Sequence, residues 1–305
     1  MNLRDLEYLV AVADLKHFRK AAERCFVSQP TLSAQLKKLE EYLGVQLFER
    51  SQRKVSLTHA GTVVLEHARQ VLLEVKAIKE KSQQLSDPLE GPMHIGLIPT
   101  VAPYLLPLIV APLKKAFPQM SLFLHEGQTH RLVQQLADGD IDAAILALPV
   151  AQDTFSYFPL YSEDFSLAVY KQHPLAKLKQ VKPEHLSGYE ISLLAEGHCL
   201  RDQALDVCHS GGATDIGSFS ATSLETLRYM VEAQEAITLI PQLAVTANGS
   251  GKRYQNLKYL GFPKPKPCRQ IALVYRKRTA RFDGFKQIAD LMAEKVERSG
   301  KLTGA

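Results

Sequence analysis

The 305-residue sequence has no tryptophan and only four cysteines. Those cysteines, Cys25, Cys199, Cys208 and Cys268, are too few and too scattered to staple a small secreted scaffold, so each is expected to be a free thiol in a reducing compartment. No uninterrupted apolar run is long enough to span a bilayer, so no membrane partner is expected. The opening MNLRDLEYLV carries acidic residues where an export signal needs a basic end and an apolar stretch, and the expected location is the cytoplasm. Common enzyme signatures are missing too: there is no Walker A loop, no GxSxG elbow, no HExxH pair and no glycine-rich dinucleotide fingerprint. Hydrolase and dehydrogenase readings therefore have no motif to rest on, and neither enzymatic activity nor a cofactor is expected.

What is present is the balance of a folded chain, 46% apolar and 23% charged, with length for two or three domains. The net charge of +5 says less than its placement. Residues 3–13, LRDLEYLVAVA, put Leu3, Leu6, Leu9, Val10 and Ala13 at helical spacing. A second short helix, HFRKAAERCF, carries the small pair Ala21 and Ala22, and Cys25 at its end reads as a small buried hydrophobe. In VSQPTLSAQLKKLEEYLG, Ser28 is an N-cap, Pro30 fits the first turn, Leu32, Leu36 and Leu39 form the buried stripe, and Gly44 ends the helix. Together with Ser28, the open sides of this third helix offer Gln29, Thr31, Ser33, Gln35 and Lys38, hydrogen-bonding groups suited to base edges and phosphates in a major groove. VQLFERSQRKVSLT then reads as a hairpin whose Arg50, Arg53 and Lys54 suit a phosphate backbone. Residues 1–60 hold ten Lys or Arg against seven Asp or Glu, a surplus of three concentrated on that helix and hairpin, and double-stranded DNA is the expected partner.

Thr58 caps a long helix in which Val64, Ala68, Val71, Val75, Ile78, Ser82 and Leu85 recur at alternating steps of four and three. Such a seam predicts a dimer interface, and paired readers suit a two-fold DNA site. The succession of two helices, SQPTLSAQLKKLEEYLGVQLFER, hairpin and LTHAG resembles the winged helix-turn-helix of LysR-type transcriptional regulators. The resemblance implies an α+β multidomain architecture: a DNA-binding domain over residues 1–58, a linker and dimerisation helix over 59–87, and an effector domain over 88–305. It also implies a homodimer through the linker helix, a homotetramer overall, and contact with RNA polymerase.

Asp87, Pro88, Gly91 and Pro92 break the long helix, and from Met93 strands and helices alternate. MHIGLI, MSLFLHE and IDAAILAL read as strands around the helices PYLLPLIVAPLKKAF and THRLVQQLADG; the pattern resumes with DFSLAVY, YEISLL, SLETLRYMVEA, AITLIP, LKYLGF, RQIALVY and FDGFKQIADLMAEKV. This predicts α/β layers on a largely parallel sheet. The resemblance adds a periplasmic-binding-protein-like shape with a cleft between two subdomains, one of about 88–162 with 269–305 and the other about 163–268.

The chemistry centres on GHCLRDQALDVC, residues 197–208. His198, Cys199, Cys208 and His209 are soft or borderline ligands, but their spacing is wrong for a zinc site and no metal is expected. If the segment is helical, nine steps separate the thiol-bearing Cα atoms by about 13 Å, whereas a disulfide needs roughly 4.4–6.8 Å. A bond between them requires unwinding, which makes the segment a two-state element suited to redox control. Cys199, at the helix start beside Arg201 and His198, has the surroundings of the reactive thiol; Cys208, with Asp206 nearby, fits a resolving thiol.

IGLIPTVAPYLLP, LHEGQTHRL, GHCLRDQALDVC, ATSLETLR and RQIALVYR resemble the peroxide-sensing members of the same family over nearly the whole chain. The resemblance implies that Cys199 is the peroxidatic cysteine and Cys208 its disulfide partner. Thr100, Thr129 and His198 become polar groups around hydrogen peroxide, Arg269 the cation near the thiolate, and Asp202 part of the same network. His198 or Arg269 would favour the thiolate and the departing hydroxide. Two departures stand out: EAQEAITLI has Gln234, Glu235 and Ala236 where many relatives carry glycine, and Cys268 precedes Arg269. The alternatives are a regulator of the same family that binds a small organic anion in its cleft, and, more distantly, a thiol peroxidase.

Overall fold

The computed structural model describes residues 1–51, 54–83, 88–150, 153–211, 214–247, 254–300 and 302; for 50, 51, 54, 79–83, 209–211, 214–220 and 247 it describes the backbone alone. The chain forms two compact units, Met1–Leu85 and Ser86–Ala305.

In the first unit, α1 (Leu3–Leu15) opens with a reciprocal cap in which Asp5 N–H donates to Asn2 Oδ1 at 3.0 Å and Asn2 N–H to Asp5 Oδ2 at 2.8 Å. It is followed by α2 (Phe18–Arg24), α3 (Gln29–Leu43), the antiparallel strands β1 (Phe48–Ser51) and β2 (Lys54–Leu57), and α4 (His59–Gln83). Leu6, Leu9, Val12, Ala21, Ala22, Leu32, Leu36, Leu39 and Leu47 form the core. Ser28 caps α3, accepting from Thr31 N–H at 3.3 Å. Gly61 of the LTHAG stretch permits the close seating of α4 on the wing, because a Cβ there would lie 2.0 Å from the Leu47 carbonyl oxygen. Along the heptad seam, Ala68 is buried and Val64 half-buried against this core, whereas Val71 and Ile78 are exposed, Ile78 by 67%. The side chains of Ser82 and Leu85 lie outside the described set, as do those of Arg50, Arg53 and Lys54.

The second unit continues with β3 (Gly91–Leu97), α5 (Ala102–Ala116), β4 (Met120–Glu126), α6 (Thr129–Asp138), β5 (Ala143–Ala147), β6 (Phe155–Tyr170), β7 (Glu190–Leu194), α7 (Cys199–Gly211), β8 (Thr214–Ala221), α8 (Leu224–Glu232), β9 (Thr238–Pro241), α9 (Gln242–Ala247), β10 (Leu257–Gly261), β11 (Cys268–Arg276) and α10 (Phe282–Arg298). The main sheet runs β10-β6-β11-β5-β3-β4, with β9 also on β6, and β7 pairs with β8. It is mixed rather than largely parallel. Among the described residues β3–β4, β3–β5 and β7–β8 are parallel, and β5–β11, β11–β6, β6–β9 and β6–β10 are antiparallel. The difference comes from β6, of which DFSLAVY is only the end. Its first part pairs with β11 and its last part with β9 and β10, so one strand serves both halves of the unit.

One core gathers Ile95, Leu97, Leu105, Ile109, Ile145 and Leu273 and extends into the second half through Leu224, Leu227 and Leu243; another gathers Leu167, Val169, Leu186, Ile191, Leu193, Leu239 and Phe262. Each such side chain removed from water contributes roughly 1.5–3 kcal/mol. Arg228, fully buried on α8, donates to Glu225 and to the Ala244 carbonyl and lies against the rings of Tyr104 and Tyr254. The same Glu225 accepts from Tyr104 Oη at 2.9 Å, which ties α5 to α8 and α9.

Among the described residues three non-glycine side chains occupy the left-handed backbone region that favours glycine, the first being Lys16 at the end of α1. Phe26, at φ +56, makes the turn into α3 with its ring 95% exposed. Gln234, at φ +67, follows α8; its N–H donates to Val231 O and the Glu235 N–H to Met230 O, the pattern of a glycine-type helix stop. The glycine-free EAQEA loop therefore keeps a glycine conformation at a steric cost of roughly 1–2 kcal/mol. Phe26→Gly and Gln234→Gly should each stabilise the chain by about 0.5–1 kcal/mol after the entropy cost of glycine. Urea unfolding of the two variants tests this; a lowered midpoint would count against it.

Candidate functional site

After β7 the chain turns through Gly197, at φ +89, into α7, whose first residue is Cys199. A Cβ on Gly197 would meet the Gln128 side chain at 3.0–3.2 Å, and Gln128 Nε2 donates to the Glu196 carbonyl at 3.3 Å. Glycine thus lets this turn press against the start of α6. Ile98, Pro99, Thr100, Gln128, Thr129, His198 and Cys199 line the resulting hollow of about 150 Å³, part of it open to solvent. Three helices begin at or beside this lining: α5 just after Thr100, α6 at Thr129 and α7 at Cys199. Neither α5 nor α6 has a side-chain cap, so their first N–H groups and positive dipole ends favour an anion nearby.

Arg269 comes from β11, where it pairs across the ladder with Glu163 of β6. Both side chains are wholly buried. Arg269 Nε donates to Glu163 Oε1 at 2.9 Å, Nη1 to Thr100 Oγ1 at 3.0 Å and Nη2 to the Thr100 carbonyl at 3.2 Å. Burial alone would pull the guanidinium pKa down; the Glu163 carboxylate, then Cys199 and Tyr161, outweigh it and the net shift is upward. Arg269 stays charged, and its attraction to an anion at Cys199 acts on both partners. Because Thr100 Oγ1 already accepts from Arg269, its own O–H remains to donate. Thr129 Oγ1 is buried with no hydrogen-bond partner.

His198 is buried, and burial pushes its pKa below the ordinary imidazole value. It is a neutral ring at neutral pH and lines the hollow beside Cys199. Asp202 is not brought to the hollow: it lies exposed on the first turn of α7, where a carboxylate complements the helix dipole. Arg201 is used structurally, donating to the Leu194 carbonyl at 3.0 Å.

The helix α7 is continuous from Cys199 past Cys208, and neither thiol is in a disulfide. Nine helical steps keep their Cα atoms about 13 Å apart, beyond disulfide reach. Cys199 is half-buried against the first core, whereas Cys208 is 2% exposed inside the second, beside Ala204 and Val207. Cys25 packs on the core of the first unit, where burial raises its pKa, Glu7 adding to this and Arg24 opposing it; Cys268 is exposed. The side chain of His209 lies outside the described set. Among the described residues no three His, Cys, Asp or Glu side chains gather as a metal site.

On the first unit, α3 leaves Gln29, Thr31 and Lys38 exposed and Ser33 and Gln35 half-buried, while the Ser28 hydroxyl is shared with Thr31 at 2.7 Å. Sequence reading did not find Gln128, Gly197, Glu163 or Tyr161. Tyr161 Oη is buried without a partner on the face of β6 that carries Glu163. The signals for these residues lie in strand pairing and turn geometry rather than in any motif.

A winged helix-turn-helix together with a separate α/β unit that carries a thiol-lined hollow defines a DNA-binding regulator with its own effector domain. The family model for the bacterial regulatory helix-turn-helix protein, lysR family, matches residues 3–62, and that for the LysR substrate binding domain matches residues 86–297. The chain belongs to the LysR family of transcriptional regulators. It is 50% identical over 297 residues, 97% of this chain and 96% of the relative, to a hydrogen peroxide-inducible genes activator of Dickeya chrysanthemi. It is 48% identical, over 97% of this chain and 96% of the relative, to the DNA-binding transcriptional dual regulator OxyR of Escherichia coli K12. The full-length C199D variant of OxyR from Pseudomonas aeruginosa superposes with a TM-score of 0.76 at 36% identity, covering 96% of this chain and 94% of that one. Among the described residues no helix is long and apolar enough to cross a membrane.

The lowered pKa of His198, and of the equally buried His173, fixes a sign for stability. A ring that resists protonation when folded but accepts a proton near pH 6.5 when unfolded favours the unfolded chain as pH falls. Stability should be fully present above pH 6.5 and decline below it, and His198→Asn should flatten part of that decline. Thermal melts between pH 8 and pH 5.5 test this, and an unchanged slope in the variant would contradict it.

Proposed function

We propose that this chain is a peroxide-responsive, DNA-binding transcriptional activator, switched when Cys199 is oxidised to a disulfide with Cys208. The observation that carries the reading is the pairing of a half-buried thiol with a buried cation and an unpartnered hydroxyl around a hollow of about 150 Å³. A thiol set among small hydroxyl-bearing and amide side chains, with a cation held behind Thr100, suits a small oxidant that a thiolate can attack. The names of the relatives, hydrogen peroxide-inducible genes activator and OxyR, support the same reading.

In the proposed sequence the Cys199 thiolate attacks one peroxide oxygen. An S–O bond forms as the O–O bond breaks, and the electron pair leaves with hydroxide, which takes a proton to become water. The hydroxyls of Thr100 and Thr129 hold the peroxide in line. Arg269 steadies the thiolate and the charge building on the leaving oxygen, in the manner of donors aimed at developing charge. The Cys208 thiolate then attacks the sulfenic sulfur, releasing a second hydroxide and closing the disulfide. The helix between the thiols opens, and the altered effector domain changes how paired DNA heads are presented.

The head takes residues 1–58, with Ser28, Gln29, Thr31, Ser33, Gln35, Lys38, Arg50, Arg53 and Lys54 toward duplex DNA; the linker takes 59–87 and the effector domain 88–305. The exposed Val71 and Ile78, spaced one heptad apart, support a homodimer through the linker helix. A homotetramer, contact with RNA polymerase and a cytoplasmic location complete the reading.

Thiol titration tests it. A small excess of peroxide should consume two of the four thiols in the wild-type chain and none of the corresponding pair in Cys199→Ser, which should also lose peroxide-dependent transcription from a target promoter. Unchanged wild-type thiols with a metabolite-dependent rise in melting temperature would favour the organic-anion regulator. Sustained peroxide turnover with a reductant would favour the thiol peroxidase.

A further inference from the structure

Glu163 takes no part in the steps above, yet it is among the most buried charges in the chain. Its side chain, like that of Arg269, has no exposed surface. Oε1 accepts from Arg269 Nε at 2.9 Å and lies 2.8 Å from Nη2; Oε2 accepts from the Leu243 N–H at 2.8 Å, where α9 begins. Both oxygens are therefore engaged, one by β11 across the ladder and the other by a helix start. The groups around Arg269 are Thr100, Tyr161, Glu163 and Cys199, and of these only Glu163 and Cys199 can supply negative charge at neutral pH.

We propose that Glu163 is a positioning residue that keeps Arg269 paired after the Cys199 thiolate is consumed, and so sets the balance between the reduced and the oxidised chain. The inference rests on the peroxide-switch reading of the same site. When the Cys199 thiolate forms, one cation faces two anions, so Glu163 offsets part of the Arg269 field at Cys199. On oxidation the thiolate charge leaves as hydroxide, and the sulfur ends in a neutral disulfide. With Glu163 present the group of charges passes from −1 to 0 and Arg269 keeps its partner. Without that carboxylate it passes from 0 to +1, leaving a buried guanidinium unpaired, a state that proteins disfavour strongly. Glu163 thus weakens the hold of Arg269 on the thiolate and stabilises the state that follows its loss.

The test is Glu163→Gln in the full-length chain, since glutamine keeps an acceptor for Arg269 Nε and nearly the same shape. Cys199 alkylation by iodoacetamide, followed from pH 5 to pH 9 by peptide mass, should shift to lower pH, with about tenfold faster labelling at the acid foot of the curve. Equilibration with glutathione, in which glutathione disulfide gives up one S–S bond as the protein gains one, should show a reduced-to-disulfide ratio about tenfold higher, or about 30 mV. If Glu163 served only to brace Arg269, its loss would slacken the cation and move labelling to higher pH. A labelling curve that stays in place or moves that way overturns the proposal, as does an unchanged glutathione equilibrium. Should the glutamine variant fail to fold by circular dichroism, Glu163→Asp carries the test: its retained charge must keep both readouts at wild-type values, and a tenfold change in either overturns the proposal. Failure of the peroxide reading would register separately, as a wild-type chain that forms its disulfide with glutathione disulfide but not with peroxide, because labelling and glutathione equilibration use no peroxide.

Discussion

An α-helix holds its first and tenth residues about 13 Å apart, and α7 sets Cys199 and Cys208 at those two places. Helix and disulfide are therefore alternatives. The rest of the second unit follows from that constraint. Cys199 is half-buried beside the hollow, where helix starts and Arg269 favour an anion, while Cys208 is shut into the other core among Leu167, Ile191 and Val207. Bringing the two sulfurs together means extracting a buried side chain and opening two turns of hydrogen bonds, an outlay on the order of several kcal/mol. In the proposed switch, peroxide reduction supplies the driving force for that rearrangement, and the helix is the spring that restores the reduced fold.

Electrostatics and packing divide the work at the site. Burial holds His198 neutral, so the charge opposite the thiol comes from Arg269. Arg269 is in turn fixed by the backbone and hydroxyl of Thr100 and by Glu163. Since β6 carries Glu163 and also runs through both halves of the unit, the carboxylate that holds Arg269 is mounted on the strand that joins those halves. In the proposed switch, a change at Cys199 meets this hydrogen-bonded sheet on one side and α7 on the other, and the rearrangement goes into α7.

Much of this was legible in the sequence where local patterns dominate. The head read correctly from caps and stripes such as Ser28 and Leu32–Leu36–Leu39, because each helix there is short, capped and amphipathic. The strand-helix alternation after Met93 read in the same way, and quoted motifs led to Cys199, Thr100, Thr129 and Arg269. The long strand β6 did not. Pro159, Ser162, Glu163 and Asp164 in its middle look like a break, whereas Pro159 sits at a bulge opposite β11 and Glu163 is buried by a partner more than a hundred residues away. Missing the length of β6 also hid the mixed sheet. Glu163 and Gln128 escaped because nothing local marks them; the role of each depends on a contact made by the fold. Asp202 entered through the family resemblance; it stands one turn along α7 from Cys199, with its side chain exposed rather than in the lining of the hollow.

The central claim is that the disulfide and the helix exclude each other, and backbone hydrogen exchange over residues 199–208 tests it most directly. The reduced chain should protect these amides as a packed helix does. In a sample whose mass shows two fewer hydrogens, with the bond mapped to Cys199 and Cys208, protection should fall at least about tenfold across the segment while β5 and β11 stay protected. Equal protection of the segment in both states, with the bond in place, would contradict the account.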